Sequence, residues 1–132
     1  MKLKKATQYG LYAALELARD PSRQLSAIYI ADKYDISSNH LAKVLRDLGR
    51  AGLVDSVRGA GGGYRFSSNA KRVTLMDVIN IFEDLGGEAS GASEAGDDTD
   101  IGRALLKVCN EIDEITQATF GSITLDTLLK IM

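Results

Sequence analysis

The feature that most limits the fold is a four-residue break, Tyr34–Ser37, between two short segments with helical periodicity. The segment before it begins near Ser26, a residue type that caps helix N-termini, and ends near Lys33. Two short helices joined by so tight a turn match the helix-turn-helix signature. Asp35 takes the turn position that needs a left-handed backbone, which aspartate tolerates better than most residues.

The second helix of this pair, which we expect to begin at Ser37 or Ser38, has a clear apolar face. Its apolar residues recur at i, i+3, i+4 and i+7, namely Leu41, Val44, Leu45 and Leu48. Gly49 and Gly52 are candidates to end it. In the helix before the break, the same periodicity buries Ala31 and either Ile28 or Ile30.

A glycine-rich hairpin is predicted directly after this helix, where a winged helix carries its wing. Two β-rich runs, Leu53–Arg58 and Tyr64–Ser67, flank a loop with four glycines in the five residues 59–63. An ordered glycine destabilises a fold by roughly 0.5–1 kcal/mol relative to alanine, so four glycines in one loop require an explanation. Close approach of the loop backbone to another surface is one such explanation. A phosphate-binding loop would instead place Gly-Lys-Ser/Thr at the start of a helix.

Four other helices are indicated. A first one spans Lys5–Arg19 before Pro21, and Thr74 caps a fourth with Asp77 completing a weak capping box. Their apolar stripes are Leu11, Ala14, Leu15 and Ala18, and Leu75, Val78, Ile79 and Phe82. The long helix over about Asp100–Thr119 steps by four and three through Ile101, Leu105, Val108, Ile112 and Ile115, a heptad seam that suits a second long helix. A short closing helix covers Leu125–Met132.

These elements predict a mainly α fold with a small β-hairpin wing: a winged helix-turn-helix plus a long C-terminal dimerisation helix. We expect the DNA-binding domain and its connecting fourth helix over residues 1–83. A flexible acidic loop follows over 84–100, because Gly86–Asp100 holds four glycines, five acids and no base. The dimerisation helix and the closing helix then occupy 101–132.

Charge is unequally divided along the chain. Residues 1–72 contain 13 Lys and Arg against 6 Asp and Glu, whereas residues 73–132 contain 3 against 12. This division lets the first half approach a polyanion, although chance clustering of surface charge is the alternative. No run approaches the roughly 18 apolar residues of a membrane span, and no apolar stretch follows the basic Met1–Tyr9, so we expect a cytoplasmic protein.

The outward face of the third helix carries the candidate contacts to double-stranded DNA. The residues left facing outward are Ser38, Asn39, His40, Ala42, Lys43 and Arg46. Serine and asparagine at a helix N-terminus can contact phosphates or base edges in the major groove, and the two cations can reach the backbone. An ordinary solvated helix face, with His40 a plain surface residue, is the alternative. At the wing, Arg58 with Gly59, Gly61 and Gly62 suits a narrow A/T minor groove.

The run Leu53–Tyr64 resembles the wing signature of the Rrf-type winged-helix transcriptional regulators, the family of IscR-, NsrR- and CymR-like proteins. The opening Leu3–Gly10, the turn Asp35–Ser38 and the closing Ile123–Leu125 also resemble it, so the similarity covers nearly the whole chain. It implies a homodimer, paired through the fifth helix, that reads a palindromic operator with two recognition helices and two wings. It places Ser37–His40 at the start of the recognition helix, whereas Asp35 replaces a glycine usual in the turn.

The resemblance weakens where members of this family hold an iron–sulfur cluster. Those members carry three cysteines in and just after the loop between the fourth and fifth helices, and Gly86–Val108 contains none. A cluster needs thiolates or histidines, and the chain has only Cys109 and His40, so we expect no cluster, no metal and no other cofactor. Regulation then comes from a small molecule, a partner protein or a Cys109 redox switch. Simple packing of Cys109 beside Val108 is the plainer interpretation.

Other classes of function do not explain the excess of positive charge in residues 1–72. A protein-interaction module built on a winged helix is the second class, with the acidic loop as its natural surface. An enzyme finds no support, because the chain has one histidine, no nucleophile motif, no metal-ligand spacing and no nucleotide fingerprint. A DNA-binding regulator therefore remains the prediction, with repression the commoner behaviour among the proteins it resembles.

Overall fold

The computed structural model describes residues 3–59, 61–83 and 96–132. These residues form helices α1 (Lys5–Arg19), α2 (Ala27–Tyr34), α3 (Ser38–Arg50), α4 (Leu75–Phe82), α5 (Asp100–Gly121) and α6 (Leu125–Lys130), and strands β1 (Val54–Val57) and β2 (Gly63–Phe66). All eight predicted elements are confirmed, with bounds within two residues of those read from the sequence. The described helices include none long and apolar enough to cross a membrane.

The turn between α2 and α3 has the predicted backbone. Asp35 lies in the left-handed region, with φ 54° and ψ 49°, and its N–H is directed at the carbonyls of the last turn of α2. The amide of Ile36 then donates to the Ala31 carbonyl at 2.9 Å, and the Ile36 side chain is buried. In α2 the buried isoleucine is Ile30, because Ile28 is 64% exposed. The helix-turn-helix prediction is confirmed.

Helix α3 runs directly into the wing through a paired-hydrogen-bond turn. The amide of Leu53 donates to the Leu48 carbonyl and the amide of Gly52 to the Gly49 carbonyl, the Schellman arrangement of a helix C-terminus. Gly52 supplies the positive φ of 82° that this arrangement requires. Because Leu48 and Leu53 are both buried, the direction in which β1 leaves α3 is fixed by the core.

The wing is an antiparallel hairpin in which Val54 pairs with Phe66 and Val57 with Gly63. A feature absent from the sequence prediction is a third strand-like contact, since Tyr64 and Leu25 exchange both backbone hydrogen bonds at 2.8 and 2.9 Å. A Cβ on Gly63 would lie 2.4 Å from the Leu25 carbonyl oxygen, and one on Gly62 would lie 2.4 Å from that of Val57. Contacts within the chain therefore require glycine at these two positions, independently of any surface that the hairpin approaches.

Helix α1 is central, packing against α3, α4, α6 and β2. Its buried face differs from the predicted stripe, because Leu11 and Leu15 are only half-buried whereas the buried positions are Thr7, Gly10, Ala13, Ala14, Glu16, Leu17 and Ala18. The reason is that the surrounding elements pack on several sides of α1, where its small residues let them approach the helix closely. At Gly10, a Cβ would lie 2.3 Å from Cε2 of Phe82, so α4 rests on the bare backbone of α1.

Main-chain hydrogen bonds join the start of α6 to the segment that precedes α4. Thr74 caps α4 through the predicted capping box with Asp77. Thr74 also forms an isolated antiparallel bridge with Thr124, where the Leu75 amide donates to the Ile123 carbonyl and the Leu125 amide to the Val73 carbonyl. Leu125 is fully buried, so α6 closes the core of its own chain.

Helix α5 contacts α4 but buries none of its own residues in the single chain. The predicted seam is intact along its exposed side, with Ile101, Leu105, Val108, Ile112 and Ile115 between 52% and 75% exposed. Of the predicted acidic loop, residues 84–95 lie outside the described residues. The loop ends earlier than the predicted 100, because Thr99 accepts a hydrogen bond from the Gly102 amide as the N-cap and Asp100 already belongs to α5.

Candidate nucleic-acid interface

One polar stripe runs along the outer face of α3. At about 100° per residue, Asn39, Lys43 and Arg46 fall opposite the buried side of this helix. All three are exposed, and within the described part of the chain none of their side chains has a hydrogen bond or ion pair. Arg50 continues the stripe and lies 4.0 Å from Asp47. The face is thus an amide at the helix start, then Lys43 and Arg46 without a described partner, and then the paired Arg50.

The first turn of α3 is held by its own residues. The Ser37 hydroxyl accepts a hydrogen bond from the His40 backbone N–H at 3.1 Å and so caps the helix. The His40 ring packs edge to face on the ring of Tyr9 in α1, with 4.9 Å between centroids. Ser38 remains exposed. Two predicted contact residues, Ser37 and His40, therefore also have structural partners inside the chain, which sequence reasoning did not anticipate.

The wing adds a second, separate basic position. Arg58 is exposed at the end of β1 and has no ion pair with any described residue. Gly59 and Gly61 next to it have φ values of 102° and 76°, which turn the chain sharply at the tip. Because the Schellman turn joins α3 to β1 within four residues, the wing lies at the C-terminal side of the same helix that carries the polar stripe.

A buried carboxylate fixes the last turn of α2 to α1. Oε1 of Glu16, a residue only 2% exposed, accepts from the Tyr34 hydroxyl at 2.5 Å and pairs with Nζ of Lys33 at 2.6 Å. Burial alone would raise the pKa of Glu16, but the hydrogen bonds from Lys33 and Tyr34, with the positive charges of Lys33 and Arg19, bring it below the usual value of 4.5. The same burial and the neighbouring carboxylate raise the pKa of Tyr34.

This network holds the segment that leads into the turn and α3. The Tyr34 ring also stacks on Tyr12, with 4.7 Å between centroids. Sequence reasoning missed Glu16 because a charged residue on the apolar side of a helix contradicts simple amphipathicity. The available signal was its position one residue beyond the Leu15 of the predicted stripe, with Lys33 and Tyr34 ending the next helix.

Cys109 is exposed on α5 in the single chain, rather than buried as a small apolar residue. It lines an open cavity of about 390 Å³ together with Gly102, Leu105 and Leu106 and the turn that precedes α5. Val108, its neighbour in the seam, is 52% exposed. The thiol therefore lies at the edge of the uncovered apolar side of α5.

Sequence comparison agrees with this architecture. The model of the Rrf2 family, described as iron-dependent transcriptional regulators, matches residues 3–131. The HTH-type transcriptional regulator BadM of Rhodopseudomonas palustris is 58% identical over 132 residues, which cover 100% of this chain and 83% of that protein. The HTH-type transcriptional regulator NsrR of Shouchella clausii is 38% identical over 85 residues, 64% of this chain and 57% of that protein.

Solved structures give the same result for the fold. CymR of B. subtilis, described as its global cysteine regulator, superposes with a TM-score of 0.81 at 28% identity, covering 100% of this chain and 98% of that one. The oxidized form of Staphylococcus aureus CymR gives a TM-score of 0.81 at 26% identity, covering 98% and 96%. IscR of T. potens gives 0.76 at 26% identity, covering 98% and 87%.

The family description mentions iron, but this chain lacks the cysteine and histidine ligands that an iron–sulfur cluster would need. Iron–sulfur clusters are held by several cysteines, with histidine as an occasional substitute. The whole sequence has one cysteine and one histidine. The histidine lies on α3 and packs on Tyr9 of α1, while the cysteine lies on α5. Among the described residues no group of three or more His, Cys, Asp and Glu is placed to hold a metal ion.

The family model and these relatives describe transcriptional regulators rather than enzymes. The winged-helix fold, the exposed polar stripe of α3 and a family match over almost the whole chain agree on one conclusion. This chain belongs to the Rrf2 family of DNA-binding transcriptional regulators.

Proposed function

We propose that this protein is a homodimeric repressor that binds a palindromic operator in double-stranded DNA without an iron–sulfur cluster. The observation that carries this proposal is the stripe of Asn39, Lys43 and Arg46, which is exposed, unpaired among the described residues and directed away from the core. Such a helix face fits the major groove, where its first residues meet base edges and its cations meet phosphates.

The full DNA surface combines α3 with the wing. It comprises Ser37, Ser38, Asn39, His40, Lys43 and Arg46 on α3 and Arg58, Gly59, Gly61 and Gly62 on the wing. The Ser37 hydroxyl already accepts a backbone N–H, but its own O–H remains free to donate to a phosphate. Arg58 lies beside the narrow glycine tip, a shape suited to the negative potential of an A/T-rich minor groove.

The uncovered seam of α5 supports the dimer. Five aliphatic side chains at spacings of four and three lie more than half exposed, which is costly for a lone chain. The same seven-residue repeat on the same helix of a second copy would cover them. Two copies related by a two-fold axis present two copies of α3, and this symmetry requires a palindromic operator.

Repression needs only that the dimer occupies its operator and blocks access to the promoter, so we propose it as the regulatory outcome. Besides a small molecule and a partner protein, a third candidate for the control of operator occupancy is oxidation of Cys109. The exposed Sγ of Cys109 at the edge of the seam favours a thiol switch, because oxidation there would alter the contact between the two α5 helices. A Cys109→Ser variant that still loses operator binding on mild oxidation would contradict this candidate.

The decisive experiment is fluorescence anisotropy with the purified protein and the DNA upstream of its own gene, titrated at several salt concentrations. We expect tight, sequence-preferring binding whose affinity falls steeply as salt rises, because bound cations displace counterions from the phosphates. Random duplex of the same length is the control. Equal affinity for both DNAs at every salt concentration would contradict an operator-binding regulator.

A further inference from the structure

We propose that Asn39 is a specificity-determining residue of the operator contact and that the base it reads is adenine. This inference rests on the proposed DNA-binding function and deepens it, since it assigns sequence reading to one side chain. Some polar side chains of α3 already have partners inside the protein. Asn39 has none among the described residues, so its amide is the group best placed to contact a base edge.

Two of its neighbours are engaged inside the protein. Ser37 caps α3 by accepting the His40 N–H at 3.1 Å, and the His40 ring is packed against Tyr9. Both side chains consequently have restricted geometry. They hold the first turn of α3 in place and so position Asn39, which is the second helical residue.

Asn39 itself is exposed, and its carboxamide has no hydrogen bond to any described residue. It lies opposite the buried Leu41 and Val44, at the end of α3 that carries base contacts in helix-turn-helix proteins. The cations of the stripe follow one and two turns later. Nothing in the described part of the chain competes for the Asn39 amide before DNA arrives.

The chemistry of the amide selects the base. A carboxamide offers one acceptor and one donor side by side, which complement the N6 amino group and N7 of adenine in the major groove. Ser38, also exposed, has a single rotating hydroxyl that suits any base or a phosphate. The next residue on the same side of the helix is Ala42, whose short side chain leaves room for the base edge beside Asn39.

The test is a binding selection from operators with randomised half-sites, carried out with the intact protein and with Asn39→Ala and Lys43→Ala variants. We expect the wild type to require adenine at one position, repeated symmetrically in both half-sites. Asn39→Ala should lose that preference by about 5- to 150-fold and keep the other positions. Lys43→Ala is the matched control, with affinity reduced for all sequences and the salt slope smaller by about one.

Selection of the same adenine by Asn39→Ala would overturn this inference while leaving DNA binding itself intact. An even loss over all positions would overturn it as well, because that is the signature of a phosphate contact. If the wild type selects no sequence, the proposed regulator function fails together with the inference. Asn39 has no described partner, so thermal unfolding of the variant should match that of the wild type.

Discussion

The ring of His40 meets the ring of Tyr9 edge to face, with centroids 4.9 Å apart and planes inclined at 74°. This contact joins the first turn of α3 to α1, the central helix of the core. An edge-to-face pair contributes about 0.5–1.5 kcal/mol beyond burial. The orientation of the proposed DNA-contacting residues therefore depends on Tyr9, which belongs to a different helix.

Tyr9→Ala should lower both the unfolding temperature and the affinity for operator DNA, because it frees the His40 ring and the start of α3. Tyr9→Phe is the control, since it keeps the ring and removes only the hydroxyl. Anisotropy titrations and thermal unfolding of both variants provide the measurement. Normal operator affinity in a folded Tyr9→Ala protein would show that this contact does not position α3.

Arg58→Ala should weaken binding to an A/T-rich operator by about 1–3 kcal/mol, because the wing would lose its proposed contact to the minor groove. Arg65→Ala is the matched control, an exposed cation on the same hairpin that faces Asp55 across the strands. Affinity is compared at one fixed salt concentration. Equal losses in the two variants would indicate general electrostatic attraction rather than a specific wing contact.

Glu16→Gln should destabilise the fold by about 1–3 kcal/mol at pH 7, because the buried carboxylate loses its ion pair with the partly exposed Lys33 and the hydrogen bond from Tyr34 is no longer charge-assisted. Since folding lowers the pKa of Glu16, its contribution is complete above about 4.5 and disappears as pH falls through the lower folded pKa. Urea unfolding at pH 7 and pH 3 measures this. A difference between variant and wild type that stays constant over this range would contradict the stabilising role of the charge.

Ile112→Glu should convert the proposed dimer into a monomer, because a carboxylate in the middle of the seam cannot be covered without a large desolvation cost. Light scattering should then give the 14.2 kDa of one chain instead of twice that mass. Glu111→Ala, one residue away on the same helix, is the control and should remain dimeric. A wild-type protein that is already monomeric at micromolar concentration would disprove pairing through α5.

Gly10→Ala should destabilise the fold by about 1–3 kcal/mol, because the new Cβ would meet the Phe82 ring at 2.3 Å. Gly121→Ala is the matched control in another helix, where a Cβ meets nothing within 4 Å. That substitution should be neutral or stabilising by up to about 1 kcal/mol. Both free energies of unfolding come from urea titration, and a harmless Gly10→Ala would mean that α4 does not rest closely on α1.

Much of the candidate site could be predicted from the sequence because it depends on local rules. The left-handed turn at Asp35, the Ser37 cap and the capping box of Thr74 with Asp77 each involve residues within a few positions of one another. Apolar periodicity placed the buried side of α3 correctly, and so also its opposite, polar side. The heptad spacing of α5 likewise predicted an apolar side that the single chain leaves uncovered.

Long-range packing decided the remainder, because sequence patterns do not say which elements meet. Only the tertiary structure brings Tyr9 to His40, buries Glu16 against Lys33 and Tyr34, and adds Leu25 to the wing. The sequence by itself determined the helices, the wing and the polar stripe, since these follow from neighbours along the chain. The tertiary structure decided which side of α1 is buried and which polar side chains of α3 have no partner among the described residues, since both depend on contacts between distant residues.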